Sequence, residues 1–137
     1  MKSDDANNRA AAIPPTEVWF ELRKLLAATP FQRCPKLRQF LCFVVEETMA
    51  GRGDRLTEYV LGVALFGRPA SYDPRLDARV RVEAHRLRSA LVAYYGGPGR
   101  SDPILIALAP GSYTPSFCYR NQPEPQPSLD SAKEEVL

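Results

Sequence analysis

Apolar positions recur at helical spacing in four segments of the chain, then give way to short apolar runs near the C-terminal end. Val18, Leu22, Leu25 and Leu26 share one side of a helix predicted over residues 17–28, with Thr16 as N-cap and Thr29-Pro30 as its stop. Phe31 to Pro35 reads as a short turn. Leu37, Phe40, Leu41, Val44, Val45 and Thr48 then line a wide face of a second helix over residues 36–50, ended by Gly51. Gly51 to Arg55 is a flexible connection, and Thr57 caps a third, shorter helix over 58–65. A loop restrained by Pro69 and Pro74 leads into a fourth helix, over 77–95, capped by Asp73 or Asp77 and stopped by Gly96-Gly97-Pro98-Gly99. Ile104 to Leu108 predicts a strand, Ala109-Pro110-Gly111-Ser112 a tight turn, and Tyr113 to Tyr119 the returning strand, a hairpin over 104–119. The expected fold class is mainly α with a C-terminal β-hairpin, in one domain over 16–119. Residues 1–15, and a Pro-rich acidic tail over 120–137, are expected to be disordered.

The fourth helix carries the most informative pattern. Val80, Ala84, Leu87, Leu91 and Tyr94 form a stripe built for burial. At about 100° per residue, the opposite side carries Ala78, Val82, His85 and Ser89. Arg75 and Arg86 flank that side on one edge, Arg81 and Arg88 on the other. A small, partly apolar centre between arginine edges suits a DNA groove, because the edges can neutralise phosphates while the centre approaches base edges. The competing reading is a solvated basic face, its arginines paired with Glu58, Glu83 or nearby carboxylates. Arg79 can equally pair with Asp73 or Asp77, and His85 can simply be solvated.

Charge sharpens this picture. The net charge of the 137 residues is only +2, yet residues 31–100 hold 12 Lys/Arg against 7 Asp/Glu, while residues 121–137 hold 1 against 4. A basic middle favours a polyanionic partner, and the acidic tail can dock on a partner or compete for the basic helix. The three cysteines lack a C-x-x-C pair and, with the single His85, lack zinc-ligand spacing. No metal or other cofactor is expected. Met1 to Ala12 lacks the apolar stretch of a signal peptide, and no run approaches the length of a membrane span, so the expected location is cytoplasmic. Neither a serine nucleophile, nor paired carboxylates, nor a phosphate-cradling Gly-Lys-Ser/Thr ending is recognisable, and no enzyme activity is expected.

The order of a short capped helix, a longer basic helix and a hairpin resembles the OmpR/PhoB-type winged helix-turn-helix DNA-binding domain over Thr57 to Phe117. Thr57-Glu58-Tyr59-Val60-Leu61 resembles that family's positioning helix, and Leu65-Phe66-Gly67 its aromatic-Gly step. Val80-x-Val82, Arg86-Leu87-Arg88 and Leu91 resemble its recognition helix. Leu108 to Tyr113 and Phe117 resemble its wing. The stretch Phe31 to Phe117 is also similar to a module found at the N-terminus of bacterial cyclase-like and tetratricopeptide proteins. That similarity is carried by Phe40-Leu41-x-Phe43-Val44-Val45-Glu46-Glu47, Glu58-Tyr59, Phe66-Gly67-Arg68, Asp73-Pro74-Arg75, Arg81-Val82-Glu83-Ala84, Tyr94-Tyr95 and Pro110-Gly111-Ser112-Tyr113. Two departures stand out. Residues 16–50 are helical where the OmpR type begins with a small sheet, and Ala109-Pro110 offers no wing arginine for the minor groove.

The resemblance implies sequence-specific binding of double-stranded DNA in transcription regulation, with homodimerisation on repeated half-sites. The candidate contacts are Arg75, Arg79, Arg81, Val82, His85, Arg86, Arg88 and Ser89. The rival reading is a protein-interaction module that keeps the winged-helix fold without DNA affinity, its partner another protein.

Overall fold

A computed structural model of the chain describes residues 13–120. The segments expected to be disordered therefore lie, apart from residues 13–15 and Arg120, outside the described residues. The described part holds five α-helices followed by a two-stranded antiparallel hairpin.

Helix α1 spans Pro15–Leu26. Its N-cap is Pro14, without a side-chain cap, so the expected role of Thr16 is not taken up. Proline at the first helical position needs no partner for an N–H and already has a helical φ, which lets the helix start two residues earlier. The Thr29-Pro30 step likewise starts a helix as well as ending one. After an extended Ala28, α2 spans Thr29–Arg33 with proline in its first turn, where a turn was expected. Its purpose is visible in Phe31, which is fully buried. Helix α3 spans Pro35–Met49, and its inner face, Leu37, Phe40, Leu41, Val44 and Val45, is buried throughout. The connection expected to be flexible contains a 3-10 turn, Gly53–Arg55. Thr114 pins it by donating its hydroxyl to the Gly53 carbonyl at 2.7 Å.

Helix α4 spans Glu58–Phe66, and the Thr57 hydroxyl accepts from the Val60 N–H at 3.2 Å. The loop to the next helix is tied back onto α4 by its tyrosine. Tyr72 lies so close to Gly62 that a Cβ there would overlap its ring. Tyr59 stacks on Tyr72 at 6.0 Å, and its hydroxyl donates to the Ala70 carbonyl at 2.9 Å. Helix α5 spans Arg79–Tyr95, with Ala78 at the N-cap position and no side-chain cap there. Asp77 acts one residue earlier, accepting from the Arg79 N–H at 3.0 Å and from the Arg68 guanidinium at 2.7 Å. The first of these contacts most strongly, with help from Arg68, holds the Asp77 carboxyl below its ordinary range.

Strand β1, Ile104–Ala107, pairs with β2, Ser116–Tyr119, with Ile104 opposite Tyr119 and Ile106 opposite Phe117. At the turn, Ser112 N–H reaches the Ala109 carbonyl at 3.0 Å, with Pro110 second and Gly111 at φ +81° third. That is the proline-glycine chemistry of a type II turn, and only glycine takes the third position without strain. β1 lies against α1 and α5, and α5 also packs on α3 and α4. Val80, Ala84, Leu87 and Leu91 of α5 join Ile104, Ile106 and Leu108 in one buried core with Phe31, Phe40 and Leu61. Among the described residues, no helix is long and apolar enough to cross a membrane.

Candidate functional site

Burial of the α5 stripe decides which side chains the helix can offer outward. Ala78, Val82, His85 and Ser89 are all exposed, Val82 by 52%. These four form a continuous strip along the helix, since positions three and four apart are neighbours. Leu76, in the loop just before the helix, is 85% exposed and adds an apolar projection that the periodicity of α5 could not indicate.

The candidate arginines border this strip, but each has a partner within the chain. Arg75 grips Asp73 with Nε and Nη2 at 3.1 and 2.9 Å. This pairing lowers the Asp73 carboxyl pKa and raises that of the guanidinium. Arg81 bridges α5 to α4 through Glu58 at 2.8 Å and donates to the Pro74 carbonyl at 2.7 Å. Arg79 lies over the Phe66 ring at 4.9 Å and sits 3.4 Å from Glu83, instead of pairing with Asp73 or Asp77. Arg86 reaches the same Glu83 oxygen at 3.4 Å and is otherwise exposed. Glu83 is nearly buried, and its second oxygen has no hydrogen-bond partner, so this carboxylate rests on the two arginine charges.

Arg88 differs from the others. Its Nε and Nη2 donate to the carbonyls of Ala109 and Ser112 at 3.2 and 3.1 Å, and its guanidinium faces the Tyr113 ring. The side chain closes the hairpin turn onto α5. This role was not visible in the sequence, because it depends on where the turn carbonyls land.

A second cluster also escaped sequence reasoning. Tyr95 donates its hydroxyl to Glu21 of α1 at 2.9 Å and accepts from the Ile106 N–H of β1 at 3.1 Å. Tyr94 donates to Asp102 at 2.6 Å, and Lys24 lies 3.3 Å from Glu21 and 3.6 Å from Asp102. Burial, then the neighbouring Asp102, raises the Glu21 carboxyl above its ordinary range, while Tyr95 and Lys24 pull the other way. Burial opposes the Asp102 carboxylate too, yet hydrogen bonds from Tyr94 and Glu21 and the charge of Lys24 hold it low. Both tyrosine hydroxyls are pushed up, first by desolvation. The cluster ties α1, α5 and β1 together, while Pro110 of the turn shares a shallow hollow with His85 and Ser89 of the outer strip.

Between α5 and β1 runs an apolar groove of about 490 Å³, lined by Leu91, Val92, Tyr95, Leu105 and Leu108. Among the described residues, no group of three or more His, Cys, Asp or Glu is arranged to hold a metal ion. In comparisons with known proteins, no family model, curated protein or solved structure matches the chain.

Proposed function

We propose that the chain is a winged helix-turn-helix domain that binds double-stranded DNA sequence-specifically, with α5 as recognition helix and the hairpin as wing. The observation that carries this reading is the outer strip of α5, uncovered over Ala78, Val82, His85 and Ser89 and bordered by arginines. The ion pairs of those arginines are compatible with it. A surface pair such as Arg81–Glu58 contributes about 0–1 kcal/mol, so trading a carboxylate for a phosphate costs little. Binding then consists of phosphate neutralisation and insertion into the major groove, with no chemistry on the DNA. The role that follows is transcription regulation in a bacterial cytoplasm, with two copies on repeated half-sites.

A protein-interaction module is the second reading, and a specific observation favours it. Every candidate arginine already has a partner within the chain, and the turn at Ala109-Pro110 presents no cation. A fluorescence-anisotropy titration of the full chain with mixed genomic duplexes separates the two. Micromolar or tighter binding that Val82→Asp abolishes supports the DNA reading. Binding absent at low salt rejects it and transfers the surface to protein partners.

A further inference from the structure

We propose that the outer strip of α5 reads thymine methyl groups in the major groove, with Val82 as the specificity-determining side chain. This inference rests on the DNA-binding reading above. Guanine is recognised when arginine or lysine reaches its O6 and N7 acceptors together, which needs a long side chain free to aim its fork at a base edge. The arginines bordering the strip spend their donors on neighbours at its margins, not over its centre. Arg81 is anchored to Glu58 and the Pro74 carbonyl, and Arg75 grips both oxygens of Asp73. Arg88 is committed to the turn carbonyls, and Arg79 lies against Phe66 and Glu83. Placed at the margins, where a surface ion pair exchanges for a phosphate at little cost, they suit phosphates, which position the protein and carry no sequence information. Arg86 is the least restrained, with one 3.4 Å contact to Glu83.

The centre projects methyl groups instead. Val82 is 52% exposed, with Ala78 one turn before it. A β-branched side chain on the exposed side of a helix adds nothing to helix propensity, so local stability does not explain its presence. Thymine is the base that offers a methyl group in the major groove, and an apolar side chain packed on it removes both from water. His85, one turn on from Val82, and Ser89, a further turn along the strip, provide hydrogen-bonding groups without a competing charge fork.

The test begins with selection of binding sites from a random duplex pool by the full chain. Each thymine of the selected site is then replaced by deoxyuridine, which deletes the methyl and keeps the base pair. At one or two positions affinity should fall about fourfold, the factor for one buried methylene-sized group. With Val82→Ala those same replacements should have no further effect, while Arg86→Ala should weaken all duplexes alike. If no replacement changes affinity, or Val82→Ala keeps the full methyl sensitivity, the inference is overturned and DNA binding stands. It is also overturned if 7-deazaguanine lowers affinity for the parent chain but not for Arg86→Ala, which makes Arg86 a guanine reader. If no duplex is bound at any salt concentration, the DNA reading itself fails and takes the inference with it.

Discussion

Arg88 and Val82 sit on the same helix and do opposite work. Arg88 is turned back into the molecule, where its two donors meet the carbonyls of Ala109 and Ser112. Arg88→Ala should cost about 1–2 kcal/mol, the lower end for charge-assisted bonds because the freed carbonyls can take water. Urea unfolding measures that loss, and unchanged stability would show that the turn holds without the clasp. Val82 is outward, so Val82→Asp should leave stability within about 0.5 kcal/mol while placing a negative charge at the centre of the strip. Gly62 is decided by two opposing magnitudes. Alanine would gain about 1 kcal/mol of helix propensity, but the overlap with Tyr72 costs about 1–3 kcal/mol. The ring cannot easily retreat, since it is stacked on Tyr59 and its hydroxyl reaches the Asp77 carbonyl. Gly62→Ala should therefore lower the urea midpoint, and a raised midpoint would mean that the loop shifts freely.

The elements were legible wherever their cause is local. The apolar inward residues Leu37 to Val45 of α3 and Val80, Ala84, Leu87, Leu91 and Tyr94 of α5 follow from periodicity, as the Thr57 cap of α4 follows from its residue type. Thr48, by contrast, is only half-buried, and the burial of Glu83 and Ala90 does not follow from periodicity. The Pro110-Gly111 turn follows from the backbone preferences of those two residues. Thr16 does not cap α1, because the proline just before it starts the helix without a side-chain cap. Helix α2 was missed because five residues carry too little periodicity, and its Thr29-Pro30 step looks the same as a stop. The outer strip of α5 was legible, while the fate of its arginines was only partly so. Pairing with Glu58 and Glu83 was foreseeable from the residue types, but the Arg88 clasp and the Glu21–Tyr95–Ile106 link depend on long-range geometry.

That link carries a pH dependence. The raised Glu21 pKa means that the folded chain holds this proton more tightly than the unfolded chain. The resulting stability is fully present below the ordinary value of 4.5 and is lost as pH rises through the raised one. Asp102, held low, acts oppositely. Its contribution is present above 3.8 and is lost as pH falls through its lowered value. From pH 4.5 up to its raised value Glu21 therefore contributes a decline to the urea midpoint, against the rise contributed by carboxyls held low such as Asp77. Glu21→Gln, which keeps an acceptor for Tyr95, should remove that contribution, so the midpoint of the parent should fall relative to that of the variant as pH rises from 4.5. A parent-to-variant difference that does not change with pH would place the dependence elsewhere.

At the scale of the whole molecule, charge decides how strongly the arginine border can be felt. The overall +2 conceals a basic region over 31–100 and the −3 of residues 121–137, so removal of those last residues leaves +5. That truncation should tighten duplex binding at low salt, with the advantage shrinking as the Debye length falls to about 8 Å near physiological ionic strength. Affinity unaffected by truncation would mean that the acidic residues do not compete for the basic face. The most direct test of the central claim is the salt dependence of duplex binding by the full chain, followed by anisotropy. A DNA-binding α5 predicts log affinity falling linearly with log salt, and Arg86→Ala reducing that slope by about 0.9 for one lost phosphate contact. A chain with no measurable affinity at low salt, or a slope indifferent to Arg86, would contradict it.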